Sequence, residues 1–188
     1  MSDALHADVV AVVSGWGPPD PDGVTARQRT LDLLTDGPVA VSREHRPGHV
    51  TVGIVVVAAD VTRVLLCLHG RFNKWVQLGG HCEPGDATLT AAALREATEE
   101  SGIDRLELHP EPIDINIHPA VCGPGNHHHD VRFAALAPPD AIERVSEESH
   151  ALGWFTPDGL PEPLADATAH LVAPALAAAR AIAGAVES

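Results

Sequence analysis

From Gly79 to Ile103 the chain reads GGHCEPGDATLTAAALREATEESGI: two glycines, an acidic turn, then a helical pattern that runs without a breaker to Gly102. Glu96, Glu99 and Glu100 stand at i, i+3 and i+4, so a helix carries all three on one side. Three carboxylates crowded together repel one another unless positive charge lies among them, and an all-oxygen set of this kind suits Mg²⁺ or Mn²⁺. Leu94, Ala97, Thr98 and Ser101 are expected on the opposite side, a small and mostly apolar face suited to lying against a sheet. The competing reading is a solvated helix laced with charge, which needs neither metal nor sheet.

The flanking text supplies the sheet. Residues 50–57 are a β-branched run of the kind buried on both faces, and Asp60 with Thr62 marks a turn into a second strand over 64–68. A polar loop from His69 to Lys74 leads into a strand over 75–78, which delivers the chain to Gly79. Downstream, short strands are expected over 106–109, 113–118, 131–136 and 152–155, with His127-His128-His129-Asp130 immediately preceding the third. Before the sheet, one helix is expected over about 3–14, ended by Gly15, Gly17, Pro18, Pro19 and Pro21, and another with Thr25 as N-cap, stopped at Gly37-Pro38. The expected division is therefore an N-terminal helical extension over 1–45, a central domain over 46–164 and an alanine-rich C-terminal helix over 165–188. Pro174 is expected to kink or divide that last helix. It reads as a helix packed on the domain, with a homodimer contact as the alternative.

The stretch resembles the signature of the Nudix hydrolases, GX5EX7REUXEEXGU with U aliphatic. Gly80 matches the first glycine, and Arg95-Glu96-Ala97-Thr98-Glu99-Glu100-Ser101-Gly102-Ile103 matches the second half with Ala97 at U. Asp86 falls where the first glutamate belongs, and one extra residue separates it from Arg95. The resemblance implies an α/β fold, an α/β/α sandwich around a mixed central sheet, here with the N-terminal extension and C-terminal helix added. It also implies hydrolysis of a pyrophosphate bond in a nucleoside diphosphate linked to another moiety, with one to three Mg²⁺ or Mn²⁺ ions. By the same resemblance Glu96, Glu99, Glu100 and the Gly79 carbonyl are metal ligands, Arg95 orients a glutamate, and a glutamate from a later loop, Glu148 ahead of Trp154, completes the catalytic set with Glu96 and Arg95. Asp86 is left between two roles, metal ligand and N-cap of the helix.

Composition narrows the partners. A formal net charge of −14 over 188 residues argues against a nucleic acid polymer as ligand, because that task needs clustered Lys and Arg. A small phosphorylated nucleotide-type substrate remains compatible, since a divalent ion supplies the missing positive charge locally. The first residues lack the basic stretch and long apolar run of a signal or membrane segment, so a cytoplasmic protein without membrane attachment is expected. Cys67, Cys82 and Cys122 are odd in number and scattered, which suits reduced thiols.

Substrate contacts are expected from Gly80, where the backbone can approach phosphates, from Trp75 by stacking on a base, and from His127 and His129. On a strand His127 and His129 point one way and His128 and Asp130 the other, so at most two imidazoles of the run can share a metal. Two further functions stay open on sequence grounds: a Nudix-like ligand sensor or scaffold without catalysis, and a metal-binding protein built on the twelve histidines. The first typically loses the signature glutamates, which are present here.

Overall fold

The computed structural model describes residues 1–71, 73–120, 125–146 and 149–186. Its centre is β1 (Gly48–Val57), all ten residues of which are buried. Alternate side chains of β1 enter two different cores, as the period of a strand requires. Val50, Val52, Ile54 and Val56 meet Leu5, Val9 and Val13 of α1 (Asp3–Gly15) and Leu89, Ala93 and Ala97 of α3 (Leu89–Ser101). Val55 and Val57 meet Leu171, Ala175 and Ala179 on the other face, under α4 (Val172–Val186). The result is an α/β/α sandwich with a mixed sheet.

Two long strands organise that sheet. β1 runs parallel to β7 (His127–Leu136) along its whole length, from Gly48 against His127 to Val57 against Leu136. On its other side β1 forks. Its last residues pair antiparallel with β2 (Val64–His69), and Thr51 to Ile54 pair antiparallel with β4 (Leu78–His81). β3 (Trp75–Val76) and β8 (Ser149–Phe155) extend the sheet beyond β2. β5 (Glu107–Leu108) and β6 (Asp114–Pro119) pair with opposite ends of β7. The fork matters for the site, because it lets β4 hold Gly79 and Gly80 as strand residues against the middle of β1.

Three expectations about element boundaries need correction. α2 spans Pro21–Leu34, and its N-cap is Asp20, whose carboxylate accepts from the Gly23 amide at 2.7 Å. Pro21 is not a breaker there, because the first helical position has no amide to lose, and Thr25 instead donates to the Pro21 carbonyl inside the helix. Pro174 neither kinks nor divides a helix: α4 begins at Val172, so Pro174 lies in its first turn, where the missing N–H costs nothing. His127 to Asp130 are not a lead-in to β7 but its first four residues.

The N-terminal helices share the core of the sheet rather than standing apart from it. α1 also reaches the start of α3 directly, where the Asp8 carboxylate accepts from the Leu89 amide at 2.7 Å. Among the described residues no helix is long and apolar enough to cross a membrane.

Candidate functional site

The two glycines of β4 are explained by clearance. Gly79 has φ of +146°, and a Cβ there would collide with the Val52 carbonyl oxygen, so no other residue fits that pairing with β1. A Cβ on Gly80 would lie 2.6 Å from the Glu96 carboxyl group. β4 therefore lies flush between β1 on one side and the acidic part of α3 on the other.

α3 is held in register at both ends. Thr88 is its N-cap, accepting from the Ala91 amide at 3.1 Å, and Gly102 ends it in the left-handed conformation, with φ of 66° and its amide on the Thr98 carbonyl. The capping role considered for Asp86 is thus corrected: Asp86 lies two residues ahead of the cap. Its carboxylate instead accepts from Arg95 Nε at 3.0 Å, from Arg95 Nη2 at 3.0 Å and from the Glu83 amide at 2.7 Å. Burial alone would raise the Asp86 pKa, but the Arg95 and Glu83 hydrogen bonds outweigh it and hold the carboxyl below its ordinary range.

Arg95 is the hub of the site. Besides Asp86 it donates to Glu96 Oε1 at 3.1 Å, to Glu99 Oε2 at 3.2 Å and to the His81 carbonyl at 2.9 Å. Hydrogen bonding to Asp86, against the opposing effect of burial, pushes the guanidinium pKa further up, so it is always charged. Glu100 takes a different partner, accepting from the Gly79 amide at 2.8 Å. The three glutamates consequently fan out around α3: Glu100 is buried, Glu96 half-buried and Glu99 exposed. The packed face of the helix keeps Ala97 and Ser101, with Leu94 at its edge, and adds Leu89, Ala92 and Ala93.

These assignments separate two roles by measurement. Thr88→Ala should cost about 1 kcal/mol, the usual effect of losing an N-cap. Asp86→Asn should cost more, about 2 kcal/mol, because it removes charge-assisted bonds and turns an amide N–H towards donors. Urea unfolding checks both, and an Asp86→Asn protein as stable as the parent would show that the Arg95 and Glu83 bonds do not depend on the Asp86 charge.

The donors offered by this corner are hard oxygens, with the cationic nitrogen of Arg95 already held between Glu96 and Glu99. A small hard cation such as Mg²⁺ or Mn²⁺ fits that set on chemical grounds. Glu96, Glu99 and Glu100 do not bring three ligand atoms within 4.8 Å of one another.

The remaining expected residues are dispersed. The Trp75 ring packs edge-on to Phe155, with centroids 4.9 Å apart, on the α4 side of the sheet. His129 is buried and its Nδ1 lies 3.0 Å from the Thr30 hydroxyl of α2, a packing position, while the His127 amide donates to the Pro47 carbonyl. Glu148, expected in the catalytic set, and Cys122 lie outside the described residues. Cys67 and Cys82 are buried thiols whose pKa is pushed up to about 12, chiefly by that burial, so neither is poised as a nucleophile.

Two features were not foreseen. On the β1 and β7 faces opposite α3, Asp130 accepts from Arg132 Nε at 2.8 Å, from the Thr51 hydroxyl at 3.0 Å and from Gln77 at 3.4 Å, and Arg132 continues to Asp114 at 3.0 Å. Burial would raise the Asp130 pKa, yet Arg132 keeps it lowered. The alternation Asp130, Arg132 within an apolar strand was the available signal, since two charges on one strand face must be solvated or paired. The second feature is a cluster of three histidines from three strands, His49, His81 and His128. Of the run that begins β7, it is His128 that joins it.

Comparison with known proteins follows the same lines. The family model of the NUDIX domain matches residues 47–175. A NUDIX-family hydrolase from Clostridium perfringens has a crystal structure similar to this one, with a TM-score of 0.55 and 24% identity over 71% of this chain and 97% of that one. A MutT NUDIX hydrolase from Burkholderia pseudomallei is 28% identical, with a TM-score of 0.52 over 69% of this chain and 98% of that one. The NUDIX domain of Shewanella oneidensis NrtR, solved with ADP ribose, has a TM-score of 0.56 and 20% identity over 71% of this chain and 90% of that one. No curated protein matches the chain.

Proposed function

Because the chain belongs to the NUDIX domain family, we propose that it hydrolyses the pyrophosphate bond of a nucleoside diphosphate linked to a second moiety, in a reaction that depends on Mg²⁺ or Mn²⁺. The observation that carries this reading is the junction of Arg95 with Asp86, Glu96, Glu99 and the His81 carbonyl, set beside the Gly79-Gly80 strand. A pyrophosphate resists attack because its own oxygens are anionic, so a catalyst must neutralise charge and place a water in line. Glu96, Glu99, Glu100 and the Gly79 carbonyl would hold the divalent ions, which when bound neutralise phosphate charge and acidify water.

The rest is done by the chain itself. Arg95 fixes the carboxylates of Glu96 and Glu99 by charge-assisted bonds, and Asp86 in turn fixes Arg95, which limits the rotamers open to all four side chains. The Gly79 amide orients Glu100 from the sheet side. Glu96 faces Gly80, with its carboxyl group where a Cβ on that residue would fall, and is the candidate to take the proton from the attacking water. Gly80 leaves the backbone of β4 without a side chain where phosphate would approach.

A panel of nucleoside diphosphate sugars, ADP ribose, dinucleoside polyphosphates and nucleoside triphosphates tests the proposal, with released monoester read by a coupled phosphatase. At least one nucleoside diphosphate derivative should turn over with Mg²⁺ and cease to do so with excess EDTA. Saturable binding of such compounds with no product under Mg²⁺ or Mn²⁺ would instead describe a ligand sensor and end the proposal.

A further inference from the structure

At one end of the sheet three strands each bring an imidazole to the same point. His49 of β1, His81 of β4 and His128 of β7 each offer a ring nitrogen, and the three atoms lie within 4.8 Å of one another. The ring centroids are 5.2 Å apart for His49 and His81, 5.0 Å for His49 and His128, and 5.2 Å for His81 and His128. Strand register holds them there, since His128 is the Cα partner of His49 on β7 and His81 is paired with Thr51, two residues along the same face of β1.

Hydrogen bonding does not account for this assembly. Nε2 of His49 and Nε2 of His81 are buried and have no hydrogen-bond partner among the described residues, and His49 is 0% exposed. Buried polar atoms are paired in all but a few cases, so two unpaired nitrogens at one point call for an absent partner. A partner that accepts lone pairs from three imidazoles at once is a metal ion. We propose that His49, His81 and His128 form a binding site for a divalent transition metal ion of the Zn²⁺ class, distinct from the carboxylate face of α3.

Ligand chemistry separates the two sites. Imidazole suits Zn²⁺ and its neighbours in the first transition row, whereas Mg²⁺ takes oxygen. Tetrahedral Zn²⁺ with Zn–N bonds of about 2.0–2.1 Å holds its nitrogens about 3.4 Å apart. From the 4.8 Å limit the ring atoms need to close by no more than about 1.4 Å, which χ rotation supplies while the strands stay in place. The surroundings also provide an orienting group: the Asn126 side-chain amide lies 3.4 Å from His49 Nδ1. The His45 main chain also hydrogen-bonds the His49 ring, and a carbonyl accepting from Nδ1–H leaves Nε2 with a lone pair for an ion, the arrangement usual behind a metal-bound histidine. His118 lies against the cluster, with its ring 5.3 Å from that of His128.

The site has a mechanical connection to the acidic corner. His81 gives its carbonyl to Arg95, so an ion on the His81 ring ties the end of β4 to β1 and β7 at the residue that positions the hub of α3. Zn²⁺ bound there should stiffen this strand end without entering the carboxylate set.

The test starts from chain dialysed against chelator and then freed of it. Zn²⁺ added in competition with a chromophoric chelator should bind at about one ion per chain with a sub-micromolar Kd and persist in millimolar Mg²⁺. His81→Gln and His128→Gln should each weaken binding by about a hundredfold or more, and Glu99→Gln should leave it unchanged. X-ray absorption at the zinc edge, recorded on the unaltered chain, should show Zn–N distances of about 2.0 Å and imidazole outer-shell scattering. That spectrum decides the matter even if a histidine variant fails to fold. An all-oxygen shell, Zn²⁺ affinity undiminished in both variants, or no binding tighter than about 10 µM would overturn the site.

Discussion

Glu100→Gln should lower the Mg²⁺-dependent kcat by at least about a hundredfold, the scale on which losing one charge from a metal-assisted phosphate clamp is felt. The fold should survive, because a glutamine carbonyl can still accept from the Gly79 amide as the carboxylate does at 2.8 Å. Removing one of several mutually repelling acids should also leave the metal-free melting temperature unchanged or raised. Glu99→Gln is the useful contrast. Glu99 is exposed and held by Arg95 Nη1, so its loss should be felt mainly as a higher Mg²⁺ requirement. Turnover undiminished in Glu100→Gln would remove α3 from the reaction.

The second large effect is on stability in mild acid. His49, His81, His128 and His129 all have pKa values lowered to about 4. Burial is the main cause in each case. It is reinforced at His49 by His81, at His81 by His128 and Arg43, at His128 by His49 and His118, and at His129 by Arg29 and His127, against a smaller raising effect of Asp130 on His81 and His128. The His118 pKa is lowered as well, again through burial. An unfolded histidine titrates near 6.5. Between about 4 and 6.5 the unfolded chain therefore binds protons that the folded chain refuses, and stability falls as pH falls through that window. From pH 7.5 to 5.5 each such group contributes a loss of about 1.3 kcal/mol, and four give roughly 5 kcal/mol before their coupling reduces it. That is comparable to the whole stability of an ordinary domain. Urea unfolding in the presence of chelator should show the drop, and His129→Gln should flatten the slope by about one proton. A stability unchanged between the two pH values would contradict the burial assigned to these rings.

Much of this architecture is local enough to be read from sequence. The β-branched run that became β1, the glycines of β4 and the breaker-free stretch ended by Gly102 each carry their conformation in their own residues. The boundary errors arose where a residue type serves two purposes. Pro21 opens α2 rather than ending what precedes it, and Asp86 lies ahead of the helix with a partner nine residues along, in Arg95. The larger omissions come from register. That His49, His81 and His128 meet depends on which residue of β1 faces which residue of β4 and β7, and nothing in any one strand specifies this. The same holds for Asp8 of α1, which reaches the first amide of α3 from 81 positions away.

Manganese binding followed by electron paramagnetic resonance tests the central claim, that the acidic corner around Arg95 is a divalent metal site. Mn²⁺ carries the hard-ion preferences of Mg²⁺ together with an unpaired-electron signal that weakens on binding. The unaltered chain should remove free Mn²⁺ from solution saturably, Mg²⁺ should compete for the same sites, and a chain carrying Glu99→Gln with Glu100→Gln should lose most of that binding while folding normally. Mn²⁺ uptake equal in the doubly substituted and unaltered chains, or no uptake at millimolar Mn²⁺, would contradict it.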